Sequence, residues 1–239
     1  MKTIAIMQPY FLPYIGYLQL MNAVDLFVLY DDVNYINKGW INRNRLLVNG
    51  KDYLFTVPLK DASQNKLINE IELSDDQQWR GKLLKTIEQA YKKAPFYGQV
   101  YPIVEQIITL KTTTIAELIL ESLVILKQYL TIETEIVTSS SIYQNAHLKA
   151  QTRILDICQQ TNATHYINPI GGVELYDKSV FEAQNIQLSF IKSKAVEYRQ
   201  FKNEFVPWLS IADVLMFNDP ATIQGFLGEF ELVWLFLLK

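Results

Sequence analysis

Residues 3–32 read TIAIMQPYFLPYIGYLQLMNAVDLFVLYDD, and the order of physical patterns in this stretch decides the fold class. Thr3 to Met7 is a short apolar run cut off by Pro9, as expected of a strand buried on both faces in a parallel sheet. A loop carrying Pro9, Pro13 and Gly16 follows, and a helical period then runs from Tyr17 to about Ala23. Leu26 to Tyr30 reads as a second buried strand that ends at Asp31-Asp32. A helix between two buried strands favours a right-handed crossover and a parallel pair, because an antiparallel pair needs no intervening helix.

Outward from that opening, Arg45 to Val48 and Tyr53 to Val57 flank Asn49-Gly50, a pair that supplies the positive φ angles of a tight hairpin turn. Ser74 with Gln77, and Thr114 with Glu117, have capping-box spacing and introduce two long helical patterns. Pro95 breaks the helix expected from about Gln77 to Lys93, and Tyr97 to Leu110 forms another. Glu135 to Thr138 reads as a strand, Leu148 to Gln160 as a helix and Thr164 to Asn168 as a strand. Gly171-Gly172 then precedes a helix, and Ile186 to Ile191 is a further strand, which restores the β-α-β rhythm. Pro207 and Ser210 introduce a short helix, Asp219-Pro220 is a cap with proline at the first helical position, and a final helix is expected to close the chain. The sum is an α/β fold: a mainly parallel Rossmann-like sheet formed by both ends of the chain, with a β-hairpin and a central helical segment. One domain is expected over residues 1–239, with about 74–130 as a helical insertion packed on the sheet.

Composition narrows the function classes. The 239 residues are 49% hydrophobic and 13% aromatic, values of an ordinary globular chain. A formal charge of −3 gives no general attraction to nucleic acid or an anionic membrane, so no nucleic-acid partner is expected. Cys158 is the one cysteine, which excludes an internal disulfide and a multi-cysteine zinc site and fits a reducing, cytoplasmic setting. The first apolar run is too short for a secretory leader. Leu235 to Leu238 end an apolar stretch, but Glu229 and Glu231 leave it far short of the roughly 20 apolar residues of a membrane span. It reads as a packed terminal helix, with a homodimer contact, a pathway partner or a membrane-surface contact as rivals.

Three segments carry candidate chemistry. Gln8-Pro9-Tyr10-Phe11-Leu12-Pro13-Tyr14-Ile15-Gly16-Tyr17 places a strand end, two prolines, four aromatic rings and a glycine ahead of a helix whose first N–H groups are unsatisfied. In open parallel sheets ligands bind beyond the strand C-termini, and helix N-termini favour phosphate or carboxylate. Asp31-Asp32 closes the second strand, where alternation would turn only one carboxylate to the pocket, as a general base, a divalent-metal ligand or an acceptor for sugar hydroxyls. Lys38-Gly39-Trp40-Ile41-Asn42-Arg43-Asn44-Arg45 offers cations and amides for an anionic group and an indole for stacking. Each segment also has a plain structural role open to it: an aromatic plug, a solvated turn or cap, and an ion-pair network. Gly171-Gly172, following Tyr166 to Pro169 and with Tyr176 beyond, is a secondary candidate that could face the first loop across the same crevice. No phosphate loop of the Gly-x-x-x-x-Gly-Lys-Ser/Thr type, no Gly-x-Ser-x-Gly elbow and no His-Glu-x-x-His helix is present. Cys158, inside an apolar helical pattern, reads as a buried structural thiol.

The run Gln8 to Pro13 with Gly16-Tyr17, then Asp31-Asp32, Tyr35 and Gly39 to Asn44, resembles the WbqC-like family. Gly171-Gly172 with Tyr176, and Leu209 to Leu215, extend the resemblance over nearly the whole chain. It implies a link to surface-polysaccharide or O-antigen biosynthesis, and says little of mechanism. A weaker similarity is to nucleotidylyltransferases with a His-x-Gly-His signature. Here Tyr14-Ile15-Gly16-Tyr17 keeps the glycine, but neutral tyrosines cannot supply the positive charge of those histidines. The expectation is group transfer on a nucleotide-activated sugar or similar anionic metabolite, with a non-catalytic binding or scaffold protein of the same pathway as the alternative. Gln8 and the backbone after Pro13 would orient the ligand, Asp31 or Asp32 would act as base or metal ligand, and Arg43 or Arg45 would hold its negative charge.

Overall fold

The computed structural model describes residues 1–76, 78–202 and 204–233. The chain begins with β1 (Thr3–Met7), α1 (Ile15–Asn22) and β2 (Leu26–Leu29), followed by the hairpin β3 (Arg43–Val48) and β4 (Lys51–Thr56). Two very short strands, β5 (Leu59–Lys60) and β6 (Glu72–Leu73), pair with each other and lead into α2 (Gln78–Tyr91), α3 (Tyr97–Ile108) and α4 (Ile115–Tyr129). Then come β7 (Glu135–Val137), α5 (Ala150–Gln160), β8 (His165–Pro169), α6 (Lys178–Glu182), β9 (Gln187–Ser193), α7 (Ile211–Phe217), α8 (Pro220–Leu227) and β10 (Phe230–Val233).

Six of these strands form the central sheet in the order β10-β9-β8-β1-β2-β7. All neighbours are parallel except β10, which runs antiparallel to β9 with Phe230 opposite Ser193. The chain steps from β1 through β2 to β7, then returns to the other side of β1 for β8 and β9. The β1–β8 boundary is therefore the topological switch point, and the crevice beyond those strand ends is where such sheets take ligands.

The continuous apolar runs have a simple cause: both faces of the sheet are covered. Ala5, Phe27 and Leu29 join one apolar cluster with α1, the hairpin, α2 to α4, α7 and α8. Ile4, Ile6, Leu26 and Val28 join a second cluster with α5, α6 and Tyr166. Successive side chains alternate between the two clusters, as the period of a strand requires.

The hairpin forms around Asn49 and Gly50, at φ 52° and 76°, with Val48 opposite Lys51. Thr114 caps α4: its hydroxyl accepts from the Glu117 N–H at 3.2 Å, while the Glu117 carboxylate accepts from the Thr114 N–H at 3.1 Å. Asp219 caps α8 by accepting from the Thr222 N–H at 3.0 Å. At the other expected box, Gln77 lies outside the described residues, and the Gln78 N–H donates instead to Asp76 at 2.9 Å.

The short pair β5–β6 has no counterpart among the sequence expectations, and the C-terminal described element differs from its expectation. Among the described residues the final helix is α8, which ends before Gly228, and Phe230–Val233 is an edge strand. Its apolar residues suit either element locally, and the open edge of β9 selects the strand. Residues 234–239, with Leu235 to Leu238, lie outside the described residues. Among the described residues no helix is long and apolar enough to cross a membrane.

Candidate ligand-binding site

The loop after β1 is held from both sides. Leu12 is fully buried with φ at 42°, a left-handed conformation that costs a branched residue about 1–2 kcal/mol. Its carbonyl accepts from the Asn44 side chain and from the Ser210 hydroxyl, each at 2.8 Å. The Phe11 N–H donates to the Ile41 carbonyl at 3.0 Å, and the Ile211 N–H donates to the Pro13 carbonyl at 2.7 Å. Ser210 N–H closes the circuit on the Arg45 carbonyl at 2.9 Å. Residues 10–14 are thus clamped between the start of the hairpin and the start of α7.

That clamp builds a cavity of about 350 Å³ between Tyr10, Pro13 and Tyr14 of the first loop, Trp40, Asn44 and Arg45 of the hairpin approach, and Trp208. The Tyr14 and Trp208 rings meet edge to face at 6.0 Å. The Arg45 guanidinium lies 5.4 Å from the centre of the Trp40 ring and that of Arg43 lies 5.7 Å from it, within cation–π reach. Arg45 also pairs with Asp52 at 3.4 Å on the exposed side of the hairpin. Burial pushes the Tyr10 and Tyr14 phenols upward, with Tyr14 adding to the effect on Tyr10, so both stay neutral hydrogen-bonding groups. Gly16 has a steric reason: a Cβ there would stand 2.3 Å from the Tyr14 ring and 2.6 Å from the Ser193 hydroxyl.

The other candidates of these two segments are the frame behind the cavity. Phe11 is fully buried against Phe55, their ring centres 6.3 Å apart. Tyr17 donates to the Gln8 carbonyl at 3.0 Å and packs between Tyr10 and Phe27. Asn42 accepts from the Tyr35 hydroxyl and donates to the Val57 carbonyl. Arg43 closes the turn before it, donating to the Gly39 carbonyl at 2.8 Å and to that of Lys38, whose own side chain is exposed.

Asp31 and Asp32 go elsewhere. Strand β2 ends at Leu29, so alternation does not extend to them, and both carboxylates turn into one buried network. Asp31 accepts from the Ser139 hydroxyl at 2.7 Å and the Ser140 N–H at 3.1 Å. Burial raises its carboxyl, and those donors partly offset the rise. Asp32 accepts from the Ser140 hydroxyl and pairs with Arg153, whose Nε donates to Asn145 at 2.8 Å. Arg153 also lies over the Tyr30 ring, 4.9 Å from its centre. Neither carboxylate lines the aromatic cavity. Among the described residues no group of three or more His, Cys, Asp or Glu is placed to hold a metal ion.

Gly171 and Gly172 lie in a six-residue 3-10 segment, Ile170–Leu175, at the end of the neighbouring strand β8. Gly172 backs against the Asn168 side chain, where a Cβ would come within 2.2 Å of Oδ1. Asn168 donates to the Tyr166 hydroxyl at 2.6 Å, and the Tyr166 and Tyr176 hydroxyls are 3.0 Å apart. Tyr30 and Tyr176 pack with the second apolar cluster, whereas Tyr10 and Tyr14 pack with the first. The two loops therefore share an edge of the sheet but open on opposite faces. Cys158 is buried among apolar side chains in α5, and burial pushes its thiol up to about 12.

Trp208 is absent from the sequence candidates. It is 66% exposed, with φ at 60°, and projects beside Tyr14. The available signal is a tryptophan after a proline, just ahead of the Ser210 cap and outside any apolar period.

The model of the WbqC-like protein family matches residues 8–225, a span holding both cavity loops and Trp208. A Mycobacterium tuberculosis protein described as "Uncharacterized protein Rv1507c" is 29% identical over 230 residues, which cover 95% of this chain and 98% of that protein. No solved structure matches.

Proposed function

The chain belongs to the WbqC-like protein family, and from that membership we propose that it binds a nucleotide-activated sugar or similar anionic metabolite in the aromatic cavity, serving group transfer on it in surface-polysaccharide biosynthesis. The observation that carries this reading is the meeting of two distant tryptophans, two half-buried tyrosines and an arginine around one concavity. At about 350 Å³ the cavity is at the small end of ligand pockets and suits one sugar ring or one base, with the rest of the ligand over the rim. Trp40 and Trp208 offer flat faces for stacking, the neutral phenols of Tyr10 and Tyr14 can donate to hydroxyls or phosphate, and Arg45 supplies the positive charge. In this role the protein orients the ligand and shields one end of it from water.

One observation favours a second reading, a non-catalytic binding protein of the same pathway. The lining of the cavity includes no carboxylate, imidazole or thiol, so a proton acceptor would have to come from the acceptor substrate or a partner. Calorimetry against a panel of nucleotides and nucleotide sugars tests the shared claim: saturable binding of at least one member supports it, and no binding across the panel overturns it. Mass spectrometry of the bound sugar after incubation with amino and acyl acceptors separates the two readings, since only the first yields a product of changed mass.

A further inference from the structure

A second concavity, of about 860 Å³, opens between the hairpin tip at Asn49-Gly50, the end of α2 and residues 199–202. Its walls carry Lys92, Lys93, Arg199 and Lys202 and no carboxylate, in a chain whose formal charge is −3. All four side chains are exposed, and among the described residues none of them forms a salt bridge. Arg199 uses Nε on the Phe201 carbonyl at 3.1 Å, which fixes its direction while the two terminal nitrogens remain for a ligand. The floor is apolar, with Leu47 and Phe217 beneath the charges.

The groove is also held in shape by one buried side chain. Asp213, fully buried in α7, accepts from the Tyr91 hydroxyl at 2.8 Å, the Tyr198 hydroxyl at 2.6 Å and the Gln200 side chain at 2.8 Å. The Tyr91 hydroxyl in turn accepts from the Leu47 N–H at 2.7 Å. Tyr91 precedes Lys92, and Tyr198 and Gln200 flank Arg199, so a single carboxylate ties together the three backbone segments that form floor and walls. Cations from separate elements are thereby presented at fixed spacing, which lowers the ordering cost of binding.

We infer that this groove binds a small phosphate-bearing metabolite carrying at least two negative charges, at a site separate from the aromatic cavity. The two concavities share no lining residue. Three ammonium groups and one forked guanidinium match the several oxygens of a diphosphate better than a single carboxylate. A long polyanion would extend beyond the groove over an acidic molecule, whereas a metabolite-sized one stays within the positive field.

The test is calorimetric titration of the full chain with inorganic pyrophosphate at fixed ionic strength, alongside the Lys93→Gln/Arg199→Gln double variant and Trp40→Ala. Saturable one-to-one binding is expected, weakened about tenfold or more in the double variant and unchanged in Trp40→Ala. No binding, or equal binding by the double variant, overturns the inference. So does tighter binding of a single-stranded oligonucleotide or of phosphatidylglycerol vesicles that is lost in the double variant, because the groove would then serve a macromolecular polyanion or a membrane. Circular dichroism checks the fold, and Lys202→Gln carries the same comparison if the double variant is unstable. The Trp40→Ala arm keeps a failure here distinct from a failure of the aromatic site.

Discussion

Trp40 and Trp208 are 42% and 66% exposed, far more than packing alone would leave an indole of either segment. Each contributes little to the core, so Trp40→Ala and Trp208→Ala should change stability by about 0.5 kcal/mol or less. Their loss of ring stacking should weaken ligand by about 1–2 kcal/mol each, which urea unfolding and calorimetry read separately. Arg153 is the opposite case. It is 3% exposed and pairs with Asp32, so Arg153→Met leaves a buried carboxylate without its cation and should cost about 3–5 kcal/mol in urea unfolding. If Asp32 acts only through that network, ligand affinity of the folded variant at the aromatic cavity should not change. Single residues also mark where the sequence was readable. Tyr10, Tyr14, Trp40 and Arg45 stood out as candidates because aromatic rings and cations at a strand end exceed what a connection needs, and the structure gathers them around one cavity. Trp208 did not stand out, since its partner Tyr14 is far away in sequence.

Among the elements, those set by local chemistry were legible: the hairpin at Asn49-Gly50, the Thr114–Glu117 box and the Asp219 cap each depend on residues within a few positions of one another. Strand β10 was not, because Phe230 to Val233 becomes a strand only by pairing with β9. The path of Asp31 and Asp32 failed to show for a related reason, since their partners Ser139, Ser140 and Arg153 come from a different part of the chain. Helix α1 offers a direct test of how an element shapes the cavity. A methyl at Gly16 would meet two side-chain ends, the Tyr14 ring and the Ser193 hydroxyl, so in Gly16→Ala both should be displaced while the fold survives. Ligand affinity should fall several-fold with the far-ultraviolet dichroism unchanged; an unaltered affinity would place the ligand away from Tyr14.

For the molecule as a whole, the parallel β1–β2 pair was legible from residues 3–32, and the parallel neighbours on the far side of β1 from the β-α-β rhythm that resumes after residue 135; the fold places the first and third segments together at one strand edge. The same topology gives Asp213 its global role, because it joins β3, α2, α7 and the 198–200 segment. Burial raises its carboxyl above the ordinary value of about 4, so the folded chain binds that proton more tightly than the unfolded chain. This contribution to stability is complete below about pH 4 and is lost as pH rises through the native value. The caps at Asp177 and Asp219 act with the reverse sign, their carboxyls lowered by hydrogen bonds from Ser179 and Thr222. Urea midpoints across this pH range should therefore show a wild-type advantage over Asp213→Asn that shrinks as pH rises.

The central claim is that the loop after β1, the approach to the hairpin and Trp208 together hold the ligand. Amide and indole chemical-shift mapping, with whichever nucleotide or nucleotide sugar binds, tests it most directly. Perturbations centred on Tyr10, Tyr14, Trp40, Arg45 and Trp208 are expected. Perturbations centred instead on Tyr30, Arg153 and Tyr176, across the sheet, would contradict it.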